Sequence, residues 1–83
     1  MTKTNAPGVL VEVLWLDTEG NSSWMDRRIA LASTPPLICT VGFLMLKNKE
    51  KLVIASSYGD EQEGNVSDVN TIPAGCVVKI RNL

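Results

Sequence analysis

Residues 40–57, TVGFLMLKNKEKLVIASS, set two apolar runs on either side of the charged tip Lys47-Asn48-Lys49-Glu50-Lys51. This is the pattern of a bent β-hairpin. Gly42 falls inside the first run, where a missing side chain marks a bulge, a bend or a close backbone approach. Upstream, Val9, Val11, Val13 and Trp15 alternate with Leu10, Glu12, Leu14 and Leu16. A β-branched strand apolar on nearly both faces suits a barrel, and it should end at Asp17. Thr18-Glu19-Gly20-Asn21-Ser22-Ser23 is a turn cluster. Residues 24–31, WMDRRIAL, fit a short strand folded back on the first. They also fit one helical turn, with Ser23 as cap and Asp26 three residues on. The strand is the expected form, because eight residues make no stable helix by propensity alone.

Ser33-Thr34-Pro35-Pro36 punctuates the chain, since neither proline donates to a ladder and the first holds Thr34 extended. Residues 58–70, YGDEQEGNVSDVN, carry four acids and little to bury, and are expected to form an acidic loop. Thr71-Ile72-Pro73-Ala74-Gly75 predicts a tight turn or a 3₁₀ turn with Pro73 at its first position. Residues 76–83 form the last strand, with Cys76, Val78 and Ile80 on one face and Lys79 and Arg81 on the other. Residues 1–7 have nothing to bury and are expected to be a flexible arm. The whole predicts one all-β domain over residues 1–83, a small barrel of five to six short antiparallel strands with one 3₁₀ turn.

At 83 residues the core is small and its margin of stability thin, so a homo-oligomer is expected. A hydrophobic fraction of 45% excludes general disorder. The net charge of -1 weighs against tight duplex binding, which needs a strongly basic face. Cys39 and Cys76 sit in apolar runs of a chain without histidine, and are expected to be buried free thiols. No apolar run reaches the roughly 20 residues of a membrane span. The opening MTKTNAPG has no apolar signal-peptide region, so a cytoplasmic location is expected.

Without histidine, general acid–base chemistry near neutrality lacks its usual group, and no partner base stands near Ser56, Ser57 or either cysteine in sequence. Asp17 and Asp26 approach each other only if residues 24–31 pair back. Asp60, Glu61, Glu63 and Asp68 do not have the spacing of a calcium loop. The expectation is a non-enzyme without metal or cofactor. Trp24, Arg27 and Arg28 with Asp26 gather around one turn, and tryptophan and arginine dominate binding hot spots and grip bases and phosphates. Tyr58 is added as a contact from the far side of the barrel. A second, basic set, Lys47, Lys49 and Lys51 with Lys79 and Arg81, offers an anion or nucleic-acid face, although such a tip also serves as a solubilising edge.

The order of elements resembles the small SH3-like barrel, and within it the Sm-like branch. Gly42, Leu44 and Asn48 stand where the first Sm-like motif has glycine, an apolar residue and an acid; Ile72, Val77 and Ile80 stand at the apolar positions of the second. Asn48 replaces the acid, and Ala74 stands where the second motif has glycine, so the resemblance implies the fold and not ring assembly or RNA binding. Trp15-Leu16-Asp17, Trp24, residues 41–44 and Ile72-Pro73 together resemble small uncharacterised proteins of bacteriophages and prophages. That resemblance implies an accessory protein of the host cytoplasm and names no activity; in that setting the expected binding module sequesters a nucleotide-type ligand or inhibits a host defence protein. The alternatives are an Sm-like nucleic-acid binder and a small structural or assembly component of a virion.

Overall fold

The computed structural model describes residues 5–83. Five antiparallel strands, β1 (Leu10–Leu16), β2 (Leu37–Lys47), β3 (Lys51–Tyr58), β4 (Val66–Pro73) and β5 (Val77–Asn82), form one sheet in the order β4-β3-β2-β1-β5. The all-β barrel and its 3₁₀ turn, at Ala74–Cys76, are as the sequence predicts. One short helix, α1 (Arg27–Leu31), is the exception.

The long strand β2 serves two halves of the sheet. Its first part pairs with β1 from Leu16↔Leu37 to Leu10↔Phe43, and its last part pairs with β3 from Phe43↔Ala55 to Lys47↔Leu52. Phe43 alone is paired on both sides, the β2–β3 register shifts between Leu44 and Leu46, and beside Phe43 stands Gly42. There the β3 backbone passes so close that a Cβ on Gly42 would lie 2.9 Å from the Ala55 carbonyl oxygen. The glycine read from sequence as a bend is therefore a crossing point of two backbones.

Val11, Val13, Leu52, Ile54 and Ile72 are fully buried in one cluster. In a flat sheet β1 and β4, three strand spacings apart, would stand about 14 Å from each other. Sharing one core obliges the sheet to roll up. Trp15, Leu44, Cys76, Val77 and Ile80 pack around the cluster, so every strand and the 3₁₀ turn contribute. Between β4 and β5 the barrel is not closed by a ladder. The 3₁₀ turn bridges that seam, and the Ala74 N–H donates to the Glu50 carbonyl at 2.9 Å. Pro73 ends β4 as the residue before the turn, one position earlier than the sequence predicts.

Four expectations are corrected. Residues 24–31 form no strand: Asp26 caps α1, accepting from the Arg28 N–H at 2.7 Å, and this cap stabilises a turn whose propensity alone is insufficient. The acidic loop expected over residues 58–70 is a hairpin turn of residues 59–65 between the ends of β3 and β4, and on β4 Ser67 and Asn70 are held extended by pairing with Ser57 and Ile54. On β5, Val77 and Ile80 face the core and Val78 is exposed, because a bulge at Val78 shifts the β1 partners from Leu14↔Lys79 to Trp15↔Val77 and inverts the facing. Finally, Cys39 is an exposed thiol on the outer face of β2 opposite Leu14, and Cys76 is half-buried. Of the arm expected over residues 1–7, residues 1–4 lie outside the described ones, and Asn5 is tied to Asp60 by a backbone N–H donating to Oδ1 at 2.7 Å.

Candidate functional site

The connection between β1 and β2, residues 17–36, leaves the barrel and returns to it. Its base is pinned where the Asp17 N–H donates to the Pro36 carbonyl at 3.0 Å. The Asn21 side chain folds the outgoing arm by accepting from the Ser23 N–H at 2.9 Å, a turn that asparagine favours. Asp26 then starts α1, and the Ser33 hydroxyl donates to the Ile29 carbonyl at its end. Pro35 and Pro36 forbid further helix and deliver the chain extended into β2.

This excursion exposes what a barrel normally hides. Trp24 is fully exposed, Leu31 is 87% exposed and Ile29 63%. No strand packs extensively on α1. Arg27 and Arg28 are also exposed, with the Arg28 Nε 3.7 Å from Asp26 Oδ1. Trp24, Asp26, Arg27 and Arg28 are thus brought together, as their sequence proximity predicts. Tyr58 does not join them. It packs edge-on against Phe43, ring centroids 5.0 Å apart, at the end of the sheet where Leu10 starts β1, whereas the excursion leaves from beyond Leu16. That separation is about 20 Å along the strand. Trp15 is a core residue, its indole N–H donating to the Thr40 hydroxyl at 2.9 Å. Asp17 accepts from the Thr18 N–H, so Asp17 and Asp26 serve separate turns and form no carboxylate pair.

Inside the excursion lies a cavity of about 340 Å³, lined by Glu19, Asn21, Met25, Ala30, Ser33, Thr34 and Pro35. Its only charge is Glu19, and neither Arg27 nor Arg28 lines it. Phosphate groups find no cation there.

The basic set divides. Arg81 is committed to Glu12, with Nε 2.8 Å from Oε1 and Nη2 3.3 Å from Oε2. The hydrogen bond from Arg81 holds the Glu12 carboxyl below its ordinary range, while partial desolvation and the neighbouring Glu12 push the Cys39 thiol up, away from nucleophilic character. Lys47 and Lys79, grouped from sequence in one basic face, line one groove although they lie on strands not adjacent in the sheet. Lys49 and Lys51 belong to the β2–β3 tip. Asn48 shapes that tip by accepting from the Glu50 and Lys51 N–H groups, each at 2.9 Å. The positions of the Sm-like resemblance are thus structural here: Gly42 at a backbone crossing, Leu44, Ile72, Val77 and Ile80 in or against the core, and Asn48 in the turn. Among the described residues no three or more acidic or cysteine side chains gather as a metal would need, and no helix is long and apolar enough to cross a membrane.

No family model, curated protein or solved structure matches this chain.

Proposed function

We propose that this chain is a non-enzymatic binding module whose barrel holds out the 17–36 excursion for insertion into a partner protein. The exposure of Trp24, Ile29 and Leu31 on one projection supports this reading. Burying a large apolar side chain is worth about 1.5–3 kcal/mol, and three such groups left in water by a domain with so small a core are most economically explained by a partner that covers them. Arg27 and Arg28 supply a charged rim for an acidic border around the receiving pocket. Inhibition of a host protein by capping, in the role of a small phage accessory protein, agrees with this geometry. Trapping of a nucleotide agrees less well, because the excursion's cavity offers a carboxylate and no cation.

A photo-crosslinking residue at position 24 identifies the partner in its own host. Titration of that purified partner is then expected to show binding at least tenfold weaker for Trp24→Ala and for Arg27→Ala/Arg28→Ala, with the fold unchanged. Equal affinity of these variants for the crosslinked protein overturns the reading.

Self-association is the second part of the proposal, and a different observation supports it. The outer face of β1 and β2 presents Leu10, Leu16, Leu37 and Val41, each more than a third exposed, around Cys39 and the Glu12–Arg81 ion pair. A second copy laid on this face covers the band by an isologous contact. Sedimentation at high protein concentration is expected to give a dimer or larger species, weakened by Val41→Glu; a strict monomer overturns it.

A further inference from the structure

At the open seam of the barrel lies a groove of about 280 Å³ that is separate from the excursion. Its floor is apolar, made by Leu52 of β3, Ala74 of the 3₁₀ turn and Val77 and Ile80 of β5. Two lysines also line it, Lys47 from the end of β2 and Lys79 from β5. Among the described residues neither lysine forms an ion pair: the described pairs are Arg28–Asp26 and Arg81–Glu12. Glu12 is the acid nearest in effect to Lys79, and its carboxylate is already held by Arg81. Lys49 and Lys51 on the adjoining tip add positive potential against the one acid there, Glu50. The groove therefore joins two lysines that have no ion-pair partner among the described residues to a mostly apolar lining.

We propose that this groove binds a medium-chain acyl carboxylate, its head between Lys47 and Lys79 and its tail on Leu52, Ala74, Val77 and Ile80. Inorganic phosphate or a nucleic-acid backbone would satisfy the two lysines and leave the floor wet. An uncharged hydrocarbon would cover the floor and leave the lysines unused. Size sets the chain length. At roughly 30 Å³ for each methylene-sized group, the liquid share of one water molecule, the groove holds a tail of about eight to ten carbons with the carboxylate left at its rim. The gap between β4 and β5 gives the ligand its entry, since no ladder bars it.

The test is a calorimetric and amide-shift titration of the intact chain with submicellar hexanoate, octanoate and decanoate, with decanol and acetate as controls. A fully buried methylene is worth roughly fourfold in affinity. In a groove open on one side, affinity is expected to rise about fourfold for every two carbons. Decanol and the Lys47→Gln/Lys79→Gln variant are each expected to bind decanoate's site at least tenfold more weakly, with shifts centred on the amides of Leu52, Ala74 and Ile80. Both lysines are exposed, so their replacement leaves the barrel folded, which the unchanged amide spectrum of the core verifies. Three results overturn the proposal: no binding of decanoate, equal binding of decanol, or unchanged affinity in the double variant.

Discussion

Gly42→Val is expected to cost about 3 kcal/mol or more and to move the denaturant midpoint of unfolding sharply downward. A Cβ at this position lies 2.9 Å from the Ala55 carbonyl oxygen, 3.2 Å from its carbon and 3.4 Å from the Ile54 Cβ. The obstacle is backbone, not the end of a flexible side chain. Ala55 is fully buried and paired to Phe43 on one side and Val69 on the other, so relief requires parting two ladders at once. A domain of this length has a total stability of about 4–12 kcal/mol. One such clash is a large share of it. Denaturant unfolding followed by Trp15 fluorescence measures the effect, and a midpoint equal to that of the natural sequence would show that the crossing is not tight.

Ile54→Ala is expected to lower stability by about 3–4 kcal/mol, and the melting temperature by about 15–25 °C. Ile54 is fully buried at the centre of the cluster formed with Val11, Val13, Leu52 and Ile72. Those neighbours belong to three different strands whose ladders fix their spacing, so the vacated volume cannot collapse cheaply. The informative comparison is Ile29→Ala on the excursion, the same chemical deletion at a residue 63% exposed. It should alter stability by less than about 0.5 kcal/mol. Thermal melts of the two variants separate structural from interactive isoleucines; similar losses would mean that α1 is part of the core.

The residues that declared themselves in sequence are those whose side chains do the packing. Alternation in β1, the paired apolar runs of β2 and β3, and Gly42 between them are all local signals, and each marks its element. β4 gives no such signal, because Ser67, Asp68 and Asn70 are poor strand formers; β3 supplies the partner groups that hold Ser67 and Asn70 extended, while Asp68 between them takes a left-handed φ of 53°. In and just before β5, Cys76 and Ile80 pack against the core as expected, and the departure is confined to Val78. The extra residue there turns Val78 outward and brings Val77 to the core, and a bulge has no signature in hydrophobic alternation. In the candidate site, Trp24 among polar neighbours could be read as exposed, and Arg27 and Arg28 followed from proximity. Tyr58 was placed with them only by barrel topology, and the direction of β1 puts it at the other end. Lys47 and Lys79 could be grouped by charge, but the apolar groove they share depends on how the 3₁₀ turn brings β5 beside the hairpin, which is a tertiary event.

The ladder between β1 and β5 joins Val11 to Asn82 and Val13 to Ile80, close to the full span of the chain. Pairing so remote in sequence has to wait for the loop entropy to be met, whereas β2, β3 and β4 follow one another through short turns. The three-stranded meander therefore assembles early, and β1 and β5 dock on it together as the late step. Until they do, Leu52, Ile54 and Ile72 stand uncovered, which makes the interval before docking the moment of greatest exposure to aggregation and the place where a nascent chain gains most from a chaperone.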